Sequence, residues 1–166
     1  MKTDDNLKEA FAGESQASRK YVAFSKKAEQ EGYVQIGKFF RAAAEAETVH
    51  ASNHLRVMKG IGTTLDNAKA AKDGEVHEHT QMYPDFIKAA DTENRKDANV
   101  TFNYANETEK KHAEFYQKAI VALVSGKDLA KTEYFVCQTC GYTVEGEPPE
   151  VCPVCGSPKN MYKLTV

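Results

Sequence analysis

Residues 44–55, AEAETVHASNHL, decide the fold, because they place a carboxylate and an imidazole on the apolar face of a predicted helix. Steps of three and four residues keep Ile36, Phe40 and Ala43 on the same face as Glu47 and His50. A buried carboxylate without a partner is costly. The pair therefore needs a cation beside it, or another polar partner.

The composition is typical of a globular protein, with 41% apolar and 28% charged residues in a chain of 166. The formal net charge is −2 and no block of Lys or Arg occurs, which argues against nucleic-acid binding. No apolar run approaches the roughly 20 residues of a membrane-spanning helix. The first residues, MKTDDNLKEAF, lack the apolar segment of a signal peptide. A cytoplasmic location is expected.

Three more segments show the apolar periodicity of an amphipathic helix. One precedes the opening stretch, from Leu7 to Ala28, and two follow it, from Glu75 to Ala89 and from Phe102 to Leu123. The pattern predicts a mainly α protein that begins with a four-helix bundle. The stretch 60–74 is predicted to be a long crossover connection.

The composition changes after the fourth helical segment. Residues 134–166 hold all four cysteines and four of the five prolines, whereas the earlier part is rich in Ala, Glu, Lys, Leu and Phe. We therefore predict a helical domain over 1–126, a linker over 127–133 and a small metal-binding domain over 134–166.

A second E-x-x-H motif repeats the first one on another helix. Glu109 and His112 have the same spacing as Glu47 and His50, and residues three apart on a helix point to one side. The apolar faces of the other two helices carry three more glutamates: Glu14, Glu75 and Glu78.

Most of these five glutamates lack the basic neighbour that a surface glutamate usually has three or four positions away. Glu45 has such a neighbour in Arg41, and we predict a surface pair between them, but among the five only Glu75 has one, Lys72. A single E-x-x-H motif is more often an ordinary surface or ion-paired feature. Several carboxylates on apolar faces would repel one another, and two divalent cations remove that repulsion. The joint pattern predicts a dinuclear site for iron, manganese or zinc.

The four cysteines form two C-x-x-C units eleven residues apart: Cys137, Cys140, Cys152 and Cys155. Each unit is followed by glycine, which permits a tight turn that points backbone N–H groups at the sulfurs. Four thiolates make a closed tetrahedral site, and the ligands alone leave zinc and iron open. Zinc would serve folding or partner binding, whereas iron could pass single electrons.

The chain resembles the rubrerythrins over nearly its whole length. The resemblance lies in EAFAGESQASRKY, AETVHASNHL, DGEVHEHTQMYPDF, ETEKKHAEFY and YFVCQTCGY…EVCPVCG. It implies a ferritin-like four-helix bundle followed by a small rubredoxin-like domain whose cysteines hold one iron.

The resemblance also implies a function and its residues. Rubrerythrins are non-haem di-iron peroxidases that reduce hydrogen peroxide to water and protect against oxidative stress. Positions that bind or bridge the two irons match Glu14, Glu47, Glu75, Glu109 and His112. Positions that exchange as ligands when the redox state changes match His50 and Glu78. Tyrosines near the irons match Tyr21 and Tyr83, although Tyr83 lies about 140° from Glu78 on a regular helix and needs another helix or a distortion near Pro84.

The partners that the resemblance implies are hydrogen peroxide and an external electron donor, such as rubredoxin or its NAD(P)H-dependent reductase. It also implies a homodimer or larger assembly, in which the cysteine-bound iron of one subunit comes close to the di-iron site of another. Exchange of helix pairs between chains is one arrangement that the 60–74 connection permits.

Two rival functions remain open on the sequence. A ferroxidase or iron-handling protein would use the same helical site with O2, but it would not need a one-electron relay. A zinc-ribbon interaction protein would leave the helical carboxylates and histidines unexplained.

Overall fold

The computed structural model describes residues 2–165. The helices are α1 (Thr3–Gln30), α2 (Val34–Val57), α3 (Thr64–His77), a π-helix (Glu78–Met82), α4 (Tyr83–Thr92) and α5 (Lys96–Val124). The strands are β1 (Tyr134–Cys137), β2 (Thr143–Glu145) and β3 (Tyr162–Leu164), with a 3-10 turn at Lys159–Met161. Because α3, the π-helix and α4 run on without a break, the chain has four helical rods followed by a small sheet. This is the fold class that the sequence predicts.

The chain divides into two compact units, one up to Gly62 and one from Thr63 onward. The first is the antiparallel pair α1–α2. The second contains α3, the π-helix, α4, α5 and the sheet, in which β1 pairs antiparallel with β2 on one side and with β3 on the other. Within residues 2–165 no helix is long and apolar enough to cross a membrane.

Small side chains let α1 and α2 approach each other closely. The buried positions of the pair are Ser18, Ser25, Ala28, Gly37, Ala44 and Ala51. A Cβ at Gly37 would lie 2.8 Å from Cγ of Glu29 and 3.3 Å from the Ser25 carbonyl oxygen, so glycine permits the close approach at that crossing. The Ser18 and Thr48 hydroxyls, 2.9 Å apart, hydrogen-bond across the seam. Close approach of the two backbones and one polar pair therefore help to hold this unit together.

The predicted surface pair of Glu45 with Arg41 is wrong. The Arg41 guanidinium binds the Glu29 carboxylate of α1 and lies 3.1 Å from the Ser25 hydroxyl. Arg41 thus pairs with a glutamate on the neighbouring helix and not with Glu45, four residues away on its own helix.

The predicted crossover connection over 60–74 is also wrong for most of its length. The Thr63 hydroxyl accepts a hydrogen bond of 3.2 Å from the Asp66 N–H and caps α3, which begins at Thr64. Alanines at positions 68, 70 and 71 favour helix in this stretch. The connection between the units is short as a result.

The two units repeat one aromatic motif. Tyr21 and Phe24 of α1 pack with Phe40 of α2, with ring centroids 5.6–6.2 Å apart. Tyr83 and Phe86 of α4 pack in the same way with Phe102 of α5, at 5.5–6.3 Å. In each unit the last phenylalanine precedes the glutamate of E-x-x-H by seven residues. The two helix pairs therefore share the same aromatic cluster at the same spacing from the E-x-x-H motif.

The π-helix accounts for one difference between the two units. Glu14 precedes Tyr21 by seven residues, whereas Glu75 precedes Tyr83 by eight. The additional residue is taken up where the backbone changes to i→i+5 hydrogen bonding, with the Tyr83 N–H donating to the Glu78 carbonyl. The insertion leaves Tyr83 in the aromatic position that Tyr21 occupies in the first unit.

Candidate metal centres

The first group of possible metal ligands lies on the α1–α2 pair and comprises Glu14, Glu47 and His50, whose ligand atoms lie within 4.8 Å of one another. His50 Nδ1 is 2.8 Å from Oε2 of Glu47, one turn away, and 3.9 Å from Oε1 of Glu14. The two glutamates are half-buried, but His50 is 53% exposed. The exposed ring has room to change its position.

The second group lies on α3 and α5 and comprises Glu75, Glu109 and His112, again within 4.8 Å. His112 Nδ1 is 2.9 Å from Oε2 of Glu109 and 3.6 Å from Oε1 of Glu75. Burial, together with the negative charge of Glu109, raises the pKa of Glu75 to about 7. The hydrogen bond to Glu109 raises the pKa of His112 although burial opposes it. Protons relieve the crowded charge here, and a cation could replace them.

The raised pKa of Glu75 predicts that the stability of the metal-free protein depends on pH. Glu75 has a pKa near 4.5 when unperturbed and about 7 in the fold, so between these values the folded state holds more protons than the unfolded chain. Stability must then fall as pH rises through that window. We expect the thermal midpoint of the wild type, relative to Glu75→Gln, to drop by a few degrees between about pH 5 and pH 7.5. Differential scanning calorimetry measures this, and a midpoint difference that rises with pH would contradict it.

The remaining predicted site residues on the third rod are Glu78 and Tyr83. Glu78 lies outside the group of three, but its charge is one cause of the raised pKa of Glu75. Burial and the charges of Glu109, Glu78 and Glu75 raise the pKa of Tyr83. The predicted need for a distortion near Pro84 is met by the π-helix, which brings this phenol near the carboxylates.

The cysteine group has the geometry of a tetrahedral metal site. Cys137 Sγ is 3.6 Å from Cys155 Sγ, and Cys140 Sγ is 3.6 Å from Cys152 Sγ. Such separations are far too long for disulfides, and they approach the edge of about 3.8 Å that a tetrahedron with metal–sulfur bonds of about 2.3 Å would have. Gly141 and Gly156 adopt φ of +83° and +74°, which confirms the predicted turn after each C-x-x-C unit.

Tyr162 has a hydroxyl that a metal-bound thiolate would satisfy. The residue is buried with Cys137 and Cys152, and its Oη has no hydrogen bond of good geometry. Burial alone would raise the pKa of Cys152, but the Tyr162 hydroxyl and the N–H groups of Cys155 and Val154 lower it to about 6. An otherwise unpaired donor beside a sulfur that favours the thiolate fits a bound metal ion.

We expect Tyr162→Phe to lower the reduction potential of the iron-loaded cysteine site by tens of millivolts, because a donor to sulfur stabilises the more electron-rich reduced state. Spectroelectrochemistry of the visible thiolate-to-iron absorption measures the change. Tyr142→Phe is the matched control, because Tyr142 packs against the same cluster but its hydroxyl is not among the causes of the Cys152 shift. An equal potential in Tyr162→Phe and wild type would contradict the expectation.

The cysteine module, residues 134–165, packs against α5 beside the second ligand group. Its polar contacts are Thr108 Oγ1 to the Cys140 carbonyl at 3.4 Å, His112 Nε2 to Thr143 Oγ1 at 2.9 Å and Lys118 Nζ to Glu145 Oε2 at 2.7 Å. The rings of Phe115 and Tyr134 stack edge to face at 5.8 Å. No motif in the sequence marks Thr108 or Thr143, because each is a lone hydroxyl that gains its role only by packing.

Two family models cover most of the chain. The model described as Rubrerythrin matches residues 5–120. The model described as Rubrerythrin, rubredoxin-like domain, matches residues 135–163.

Known proteins match along nearly the whole chain. Rubrerythrin-2 of Clostridium acetobutylicum is 36% identical over 97% of this chain and 95% of the relative. Nigerythrin of Nitratidesulfovibrio vulgaris is 33% identical over 96% of this chain and 85% of the relative. The solved structure of fully reduced, all-ferrous nigerythrin is 32% identical, with a TM-score of 0.58, and the match covers 99% of this chain and 87% of that one. The cysteines suit one iron and the Glu and His groups suit a di-iron centre, so the predicted cofactors are confirmed.

Proposed function

Because the chain belongs to the rubrerythrin family of iron-dependent redox enzymes, we propose that it is a non-haem di-iron peroxidase. One H2O2 molecule takes up two electrons and two protons and yields two water molecules. The four cysteines would hold an iron ion that supplies one-electron chemistry, so that electrons could be delivered to the helical site singly. Family members use peroxide and redox partners such as rubredoxin, and here we propose rubredoxin or its NAD(P)H-dependent reductase as the external donor.

The residues proposed to hold the two irons come from both ligand groups. They are Glu14, Glu47 and His50 of one helix pair, and Glu75, Glu78, Glu109 and His112 of the other. Bound iron would supply the two electrons and the Lewis acidity that cleavage of the O–O bond requires.

The two histidines differ in a way that supports different roles. His112 is 30% exposed and is held at both ring nitrogens, whereas His50 is 53% exposed and has its short contacts at Nδ1 alone. We propose that His112 is a fixed ligand and that His50 and Glu78 exchange with the redox state. Each half-buried glutamate accompanies its histidine at i−3 and keeps an anionic oxygen in place.

The proposed proton donors are tyrosines near the carboxylates. The charges of Glu109, Glu78 and Glu75 all act on Tyr83, so its phenol could give a proton to a departing hydroxide and take one back from a protonated carboxyl group. Tyr21 holds the matching place in the aromatic cluster of the first unit.

The observation that carries the proposal is the position of the cysteine module against α5. The Gly141 carbonyl accepts a hydrogen bond from Thr143, whose hydroxyl also contacts His112. The module therefore touches the face of α5 that carries two of the proposed ligands. A protein that only stores or oxidises iron has no need of a one-electron centre in that place. The arrangement supports a peroxidase over the rival ferroxidase.

Anaerobic stopped-flow mixing tests the proposal. The fully reduced protein is mixed separately with H2O2 and with O2 at equal concentrations, and the absorbance of the oxidised helical site is followed. We expect peroxide to react at least about ten times faster. If O2 reacts as fast as peroxide or faster, the ferroxidase function replaces this one.

We propose that a second copy of the chain completes the assembly. Three of the seven proposed ligands lie on one helix pair and four on the other. Large apolar side chains remain exposed on both units: Ile36 (50%), Phe39 (69%), Val100 (46%) and Val121 (61%). Burial of such side chains in a dimer interface would be favourable. Light scattering of the iron-loaded protein decides this, and a monomer with two irons in the helical site would refute it.

A further inference from the structure

The hydroxyl of Thr143 occupies a position that nothing in the ligand pattern requires. It lies 2.9 Å from Nε2 of His112 and 3.2 Å from the Gly141 carbonyl. A carbonyl only accepts, so the Thr143 hydroxyl can give its proton to Gly141 and offer an oxygen lone pair to the ring. When a metal occupies Nδ1, the remaining ring proton lies on Nε2, and Thr143 is placed to accept it.

This donation determines which nitrogen is left for a metal. When a metal replaces the proton that Nδ1 shares with Glu109, the neutral ring keeps its proton on Nε2 and offers the Nδ1 lone pair to the metal. That atom is 2.9 Å from Oε2 of Glu109 and 3.6 Å from Oε1 of Glu75. The ring presents Nδ1 to the carboxylates and Nε2 to the cysteine module.

We propose that Thr143 is a positioning residue that anchors His112 through Nε2 and so directs Nδ1 to the metal. The affinity of the helical site for its metal then depends on the Thr143 contact that the docked cysteine module supplies. The inference rests on the proposed ligand role of His112. It assigns the module a structural part in the helical site, in addition to its part in electron transfer. Partners of this kind orient histidine ligands and change metal affinity by about 10- to 100-fold.

The test compares Thr143→Val, which keeps the shape but removes the hydroxyl, with Thr143→Ser, which keeps the hydroxyl. The thiolates of the full-length protein are first filled with one equivalent of Zn(II). Mn(II), which prefers oxygen and nitrogen ligands, is then titrated and its free concentration is read by electron paramagnetic resonance. We expect about 10- to 100-fold weaker binding in Thr143→Val and a change below about threefold in Thr143→Ser.

Thr108→Val serves as a control, because it removes a different polar contact between α5 and the module and leaves the contact of Thr143 with His112 in place. Thr108 contacts the Cys140 carbonyl from the same helix, but its hydroxyl does not contact His112. We expect this variant to bind Mn(II) as the wild type does. An equal loss in Thr108→Val and Thr143→Val would overturn the proposal, as would wild-type affinity in Thr143→Val.

A second readout does not depend on metal or on peroxide. In nitrogen-15 NMR of the metal-free protein, we expect the His112 Nε2–H to be protected from solvent exchange in the wild type and in Thr143→Ser, but not in Thr143→Val. Equal protection in all three would overturn the anchor. This measurement separates failure of the anchor from failure of the proposed function, because a protein without peroxidase activity would still show the protected proton.

Discussion

Replacing Glu109 with glutamine is expected to lower peroxide turnover by about a hundredfold or more and to reduce the iron content of the helical site. Glu109 contacts His112 at 2.9 Å and is one of three proposed ligands gathered on the second unit. Glutamine keeps the shape but removes the anionic oxygen that balances the charge of the metal. Loss of a ligand should exceed the roughly 10- to 100-fold effect of losing a residue that only orients one.

Glu107→Gln provides the matched control for this experiment. Glu107 lies two residues earlier on α5 and is exposed, so its side chain faces away from the ligand group. We expect wild-type iron content and turnover in this variant. Wild-type turnover in Glu109→Gln itself would remove Glu109 from the proposed ligand set.

Replacing Cys152 with serine is expected to separate two phases of the reaction. Cys152 is 2% exposed and is one of the four sulfurs, so the variant should lose the iron of the module. Steady-state turnover with an external donor should fall by about a hundredfold, because electrons lose their relay. A single oxidation of the chemically reduced helical site by peroxide should continue within about threefold of the wild-type rate. Stopped-flow and steady-state assays of one preparation measure both phases.

The wild-type protein with zinc in the cysteine module is a control for misfolding of the cysteine variant. Zinc keeps all four thiolate bonds, but it has no redox chemistry. We expect the zinc-loaded protein to lose steady-state turnover as Cys152→Ser does while it retains the single oxidation. Full steady-state turnover with zinc in the module would show that electrons enter elsewhere.

Local repeats made much of the fold predictable. The two E-x-x-H motifs specify the face of each helix, and the structure places His50 and His112 within 2.9 Å of the glutamates one turn before them. The C-x-x-C spacing likewise specifies the turns at Gly141 and Gly156. Such features depend on residues three to five positions apart, where helix and turn geometry leave little freedom.

Features that depend on distant packing were not predictable in the same way. The start of α3 had a local signal, Thr63 with Asp66, that the flanking glycines obscured. The π-helix has no such signal, and it is recognised only when the spacing of Glu75 and Tyr83 is compared with that in the first unit. The contact of Thr143 with His112 joins residues 31 positions apart, and no periodicity indicates it.

We propose that electrons pass from the iron of the cysteine module to peroxide through the helical site. The direct measurement is the rate at which peroxide oxidises the reduced iron of that module, followed by its visible absorbance, in the wild type and in Glu109→Gln. We expect fast oxidation in the wild type and oxidation at least about a hundredfold slower in the variant. Equal rates in the two proteins would show that peroxide reacts at the cysteine-bound iron itself and would contradict the relay.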